Sequence, residues 1–203
     1  MFLDENLSWD SHIMDLCSKL SRANGIISKL RHFIPIATLI SVYYALFNSH
    51  LSYGCISWCL TTQKNIQLLN VLQKKCLRII NFKPYDHHTN NLFFLNKIMK
   101  LNDIIKLEKI SLAFQFKSNT LPEDLRNLFC PNINNYNTRN MSNGGFIVPR
   151  VRSLTYGEKS IRFAIPIIWN EFIKTYDFNQ FKSHKHLRNF LKTLYLNTYT
   201  GLT

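Results

Sequence analysis

Residues 10–32 read D-S-H-I-M-D-L-C-S-K-L-S-R-A-N-G-I-I-S-K-L-R-H. Apolar side chains fall at Ile13, Leu16, Leu20, Ala23, Ile27 and Leu30, a 3-4-3-4-3 spacing. That spacing holds one stripe on one face of a helix. A helix over Asp10 to His32 is therefore expected, with Ser8 or Asp10 as its cap. Gly25 weakens a helix interior and is expected to mark a close helix contact. A stripe this regular needs a surface to cover it. Only residues 1–9 precede it, so the expectation is a chain that starts partway into a larger protein.

Outward from this segment the chain continues as helices. Pro35 suits the start of a second helix, whose expected buried face is Ile36, Leu39, Ile40, Tyr43, Leu46, Phe47, His50 and Leu51. Tyr53-Gly54 should break it. A third helix, Thr62 to Asn81, should turn Ile66, Leu69, Leu72, Cys76, Ile79 and Ile80 inward. Lys64, Lys74, Lys75, Arg78 and Lys83 should mostly face out. Pro84 stops it, and further helices are expected near 90–99 and 102–117, with Leu121-Pro122-Glu123-Asp124-Leu125 opening a short helical piece. Residues 130–149 change to Asn-rich composition with Gly144-Gly145 and Pro149, which reads as a linker. Beyond it, helices are expected over Ser160 to Phe172, disturbed by Pro166, and over Phe181 to Tyr195. The expected architecture is mainly α: a helical, bundle-like domain over 10–129, a linker over 130–149, and a smaller basic helical region over 150–203 with little strand.

The chain has 25 Lys and Arg against 12 Asp and Glu, a net charge of +13. Such an excess favours polyanions, nucleic acid before anionic membrane. It is concentrated late: residues 139–195 hold ten Lys or Arg against three acids. Arg139, Arg150, Arg152, Lys159 and Arg162 there alternate with Phe146, Tyr156, Phe163 and Trp169. Guanidinium groups suit phosphate and aromatic faces suit unpaired bases. Phe163, Ile167, Ile168, Trp169 and Phe172 are nevertheless expected as the core of a small helical region, leaving the arginines for function.

Other chemistries find little support. The seven Asp and five Glu include no adjacent pair of Asp, whereas two-metal catalysis needs clustered carboxylates. Cys55 and Cys59 stand one turn apart near His50, but no second pair completes a zinc site. Gly144-Gly145 lacks the Lys and Ser/Thr of a phosphate loop. No cofactor is expected. Five scattered cysteines argue for a reducing, intracellular setting over a disulfide framework, and no secretory signal is readable. Phe33 to Gln63 lacks any Lys, Arg, Asp or Glu. Its interspersed Thr, Ser, Asn and His residues suit a buried protein helix better than a membrane span.

Several fragments occur in a telling order. L-D-E-N-L-S-W-D-S-H-I is followed by Y-Y-A-L-F-N-S-H-L-S-Y-G-C-I-S-W and L-Q-K-K-C-L-R-I-I. Then come L-P-E-D-L, Y-N-T-R-N, P-R-V-R-S, G-E-K-S-I-R-F, I-W-N-E-F and F-K-S-H-K-H-L-R-N-F-L. Together they resemble the C-terminal part of the reverse transcriptase (RNA-directed DNA polymerase) of jockey-like non-LTR retrotransposons, over essentially the whole chain. The resemblance implies that residues 1–9 are the end of a missing palm, followed by a helical thumb and a connection region that track template and primer, with palm and fingers missing as partners. It implies that magnesium and the catalytic aspartates belong to that palm, which has no counterpart in this sequence, so that the chain alone is no enzyme. It also implies that Lys74, Lys75 and Arg78 lie on a thumb helix facing the duplex backbone. Arg139, Arg150, Arg152 and Arg162 belong to the region resembling the connection. The rival readings are a genomic relic without function, a host-adopted nucleic-acid-binding module, and a membrane-associated helical protein using residues 33–63.

Overall fold

Helix α1, Asp10–Leu30, buries Ile13, Leu16, Leu20, Ala23 and Ile27, as its stripe requires. In this computed structural model, which describes residues 1, 5, 8–125, 127–132, 144–153 and 157–199, the surface that covers the stripe is supplied within the chain. Helix α5, Gln63–Ile80, packs along α1. The two run in the same direction. At their N-terminal ends Asn65 Nδ2 donates to Asp10 Oδ1 at 2.6 Å and to Thr61 Oγ1 at 2.8 Å. Thr61 Oγ1 in turn donates to the Ser8 carbonyl at 2.8 Å. Midway, Asn24 Nδ2 donates to the Leu72 carbonyl at 3.2 Å. At the C-terminal ends the His32 and Phe82 rings meet edge-on, 5.8 Å apart.

Neither expected cap of α1 acts as one. Trp9 holds the cap position with φ 65° and gives no side-chain cap, while Ser8 Oγ accepts from the Asp10 N–H at 3.3 Å. Asp10 is drawn away to Asn65. Gly25 marks no helix contact either: it is exposed, and a Cβ there would meet nothing within 4 Å.

The crossover between α1 and α5 is one helical run in three parts: α2 (Ile36–Val42), a π-helical segment (Tyr43–Asn48) and α3 (Ser49–Ser52). Its buried stripe is Leu39, Tyr43, Phe47 and Leu51, all at 0 % exposure. A strict spacing of four drifts by about 40° per step in an α-helix. The wider π turn takes up that drift and keeps the four side chains in line. Ile36, Leu46 and His50, expected inside, therefore lie on exposed flanks. Gly54, at φ 60°, breaks the run and opens the short helix α4 (Cys55–Trp58). No helix among the described residues is long and apolar enough to cross a membrane.

Thr62 caps α5 by accepting from the Asn65 N–H. The inward residues of α5 are Asn65, Ile66, Leu69, Gln73, Cys76, Leu77 and Ile80; Leu72 and Ile79 are only half-buried. Helices α6 (Asn90–Leu95) and α7 (Leu101–Lys117) follow. The ends of α5, α6 and α7 close alike. Lys83, Ile98 and Thr120 donate back to the carbonyls of Arg78, Phe93 and Gln115, with Phe82, Lys97 and Asn119 at positive φ. Glycine is usual at this position of the closing turn, and asparagine tolerates it. A phenylalanine there costs about 1–2 kcal/mol of backbone strain.

The chain divides into two units, Met1–Ile104 with Thr193–Thr203, and Ile105–Lys192. The boundary falls inside α7, not at 130–149. The second unit adds α8 (Ile161–Thr175) and the greater part of α9 (His184–Asn197), whose residues from Thr193 on belong to the first unit. Pro166 sits buried inside α8, which runs through it, at the loss of one backbone hydrogen bond. The described flanks of the expected linker belong to this unit's core: Phe129 and Phe146 are buried and pack with Phe116 at 5.2–5.4 Å. Asn170 clamps Phe146 at two points, accepting from its N–H at 2.9 Å and donating to its carbonyl at 2.8 Å. Trp169 Nε1 donates to the Gly144 carbonyl at 3.1 Å. Arg188 grips Glu108 through two nitrogens, at 2.6 and 2.8 Å. The fold is mainly α; among the described residues no strand forms, only an isolated antiparallel bridge between Pro131 and Phe146.

Because Gly25 has open space around it, Gly25→Ala should stabilise the protein by about 1 kcal/mol through helix propensity. This should appear as a rise in thermal midpoint of about 2–4 °C by circular dichroism.

Candidate nucleic-acid interface

With its 66-69-73-76-80 positions turned inward, α5 must present a different set of side chains to solvent. The helix contains no acid; its charged residues are Lys64, Lys74, Lys75 and Arg78. Gln67, Asn70 and Lys74 follow one another at three- and four-residue steps, so they share a flank. They line a polar pocket of about 170 Å³ together with Gln73, Asn90, Phe93, Lys100 and Asn102.

The pocket has a rigid floor. Gln73, 1 % exposed, donates from Nε2 to Tyr43 Oη at 3.0 Å and to the Met99 carbonyl at 2.9 Å. Its Oε1 accepts from the Leu101 N–H at 2.9 Å. One amide thus ties the crossover, α5 and the start of α7. Burial pushes the Tyr43 phenol far above its ordinary range, so it remains a neutral hydroxyl. Asn70 Nδ2 reaches Asn102 Oδ1 at 3.4 Å across the pocket.

Lys100 is held from below by Tyr199. The Lys100 ammonium lies 4.3 Å from the centre of the Tyr199 ring and 5.9 Å from that of Phe93. Tyr199 Oη accepts from the Lys100 N–H at 3.0 Å and donates to Asp103 Oδ2. Burial, and the like charge of Lys74, draw the Lys100 pKa down, against the pull of Asp103. Two ammonium groups that repel one another beside several amides, with no carboxylate in the lining, form a site suited to an anion.

The other sequence-derived candidates are placed as follows. Lys75 is exposed on α5, one residue and about 100° round from Lys74. Arg78 is half-buried: its Nε donates to the His87 carbonyl at 2.8 Å and its guanidinium lies 5.6 Å from the Tyr85 ring centre. It serves first to hold the loop after α5. Arg150, Arg152 and Arg162 are exposed in the second unit; Arg139 lies outside the described residues. The aromatic residues interleaved with these arginines are not available for stacking where they are described. Phe146 and Trp169 are buried and Phe163 is half-buried; Tyr156 lies outside the described residues. The core of that region is Ile165, Pro166, Trp169, Phe172 and Ile173, with Ile167 and Ile168 half-buried.

Sequence reasoning missed Gln67, Asn70, Gln73, Lys100 and Asn102. For Gln73 a signal existed: the phase set by Ile66, Leu69, Cys76 and Ile80 puts it inside. Lys100 and Asn102 carried none, because they reach the pocket only through the turn between α6 and α7. A second groove, of about 310 Å³, is lined by Lys19, Arg22, Ala23, Ile26, Leu46 and His50, and Lys19 there pairs with Asp15 at 2.7 Å. Among the described residues no three His, Cys, Asp or Glu side chains gather to hold a metal ion. Compared with protein-family models, curated proteins and solved structures, the chain matches none.

Replacing Gln73 by Leu should leave the Tyr43 hydroxyl, the Met99 carbonyl and the Leu101 N–H unpaired in the interior. The expected loss is about 3 kcal/mol, measured as a lower urea midpoint with an unchanged slope.

Proposed function

We propose that this chain is the thumb and C-terminal connection of a jockey-like non-LTR retrotransposon reverse transcriptase. Its role is to grip the sugar–phosphate backbone of template and primer. The observation that carries this reading is the acid-free flank of α5, where Gln67, Asn70 and Lys74 stand beside Lys100 and Asn102. Amides and ammonium groups recognise phosphate oxygens and give affinity without sequence choice. The ordered motifs from L-D-E-N-L to L-R-N-F-L support the family origin. Lys75, Arg150, Arg152 and Arg162, all exposed, supply further phosphate contacts. Magnesium-dependent polymerisation belongs to the palm of the parent enzyme, whose aspartates this sequence does not contain. A primer-extension assay with magnesium should therefore stay at background, and robust extension would refute the reading.

Binding of a labelled RNA–DNA duplex, followed by anisotropy, should weaken steeply and log-linearly with salt. The double substitution Lys74→Gln, Lys100→Gln should flatten the slope by about two counterions. An unchanged slope would move the interface elsewhere.

The lowered Lys100 pKa adds a pH signature. As pH rises through it, Lys100 loses its charge before an ordinary lysine does, and duplex affinity should fall. Lys100→Arg, which keeps its charge, should remove that early fall.

A further inference from the structure

The aligned C-terminal ends of α1 and α5, with the loop after α5, bring together three exposed aromatic residues of the first unit. Phe33 is 84 % exposed, Tyr85 79 % and Phe82 51 %. Cations stand among them. The Arg31 guanidinium lies 5.0 Å from the Phe82 ring centre and that of Arg78 5.6 Å from Tyr85. Arg31 Nε donates to His32 Nε2 at 3.2 Å, the His32 ring meets Phe82 edge-on, and Lys83 is exposed. Asp86 is the lone acid in residues 81–89, and residues 31–35 have none.

Cations at helix C-termini answer the helix dipole, which accounts for the charges but not the rings. Phe82 is the telling residue. It occupies, at φ 54°, the position in the closing turn of α5 where glycine is usual. A bulky side chain is strained there, and Phe82 still leaves half of its surface exposed. Strain of this kind gathers at functional sites.

We infer that Phe33, Phe82 and Tyr85, with Arg31, Arg78 and Lys83, form a stacking platform for unpaired bases of single-stranded nucleic acid. Exposed rings take base faces of any sequence, and the interleaved cations follow the phosphates. The same positive charges oppose pairing of this patch with a second copy of itself. The inference rests on the reading of the chain as a nucleic-acid binder but assigns a different surface and a different strand state from the α5 flank. The unpaired strand reads at the helix ends, and the duplex lies along the helix.

The test compares anisotropy titrations of a labelled oligothymidylate and a labelled duplex. Phe33→Ala with Tyr85→Ala should weaken single-strand binding about tenfold or more, leaving duplex affinity and both salt slopes unchanged. Phe82→Gly relieves the turn, so it should keep or raise the thermal midpoint while weakening single-strand binding, which separates loss of stacking from loss of fold. Equal single-strand affinity in wild type and variants would overturn the inference while leaving duplex binding standing. Single-strand binding that the variants weaken, without duplex binding, would uphold it and overturn the α5 grip. Wild-type protein that binds neither would overturn both. Wild-type self-association abolished by the same substitutions would overturn it in favour of a contact between copies.

Discussion

The parallel pairing of α1 and α5 is the constraint on which the first unit depends. Each helix has one apolar stripe, and each stripe is covered by the other helix and by the crossover between them. Burying a large aliphatic or aromatic side chain contributes about 1.5–3 kcal/mol, and this seam buries Ile13, Leu20, Ile27, Leu69 and Ile80 with the crossover's Tyr43 and Phe47. The pairing also fixes what α5 shows to water. With its apolar face committed to α1, a helix that contains no acid turns Gln67, Lys74 and Lys75 outward together with Leu68 and Val71, so every charge it shows to water is positive.

Polar groups set the register of this seam. Two buried amides act as pegs. Asn65 joins the N-terminal ends through Asp10 and Thr61, and Gln73 joins the crossover to the start of α7 through Tyr43, Met99 and Leu101. Apolar stripes alone can slide by a turn with little loss. A buried amide that slides leaves donors and acceptors unpaired, at about 1–3 kcal/mol each. Gln73 is also the floor of the pocket that holds Lys74 and Lys100, so the peg that fixes the fold fixes the spacing of the cations.

Periodicity made the helices legible, because a stripe is a local property of the sequence. The inward phase of α1 and most of α5 could be read from spacing alone. The second helix was harder. A run of four-residue steps through Leu39, Tyr43, Phe47 and Leu51 looks like a broad α-helical face, and only the π segment narrows it to one line. Features resting on distant partners were not legible. Phe146 sits in a Gly- and Asn-rich stretch that reads as linker, yet Asn170, 24 residues on, clamps its backbone. Aromatic residues carried the same ambiguity in both directions. Phe146, set among the arginines as a candidate stacking partner, is core, while Phe82 and Tyr85, to which the sequence pattern assigned no role, are exposed.

The central claim is that the acid-free flank of α5 meets the nucleic-acid backbone. Amide chemical-shift mapping of the labelled protein with a short duplex tests it most directly. The account predicts perturbations at Gln67, Asn70, Lys74, Lys100 and Asn102, fading as salt is raised. Perturbations confined to the groove of Lys19, Arg22 and His50, or none at any salt, would contradict it.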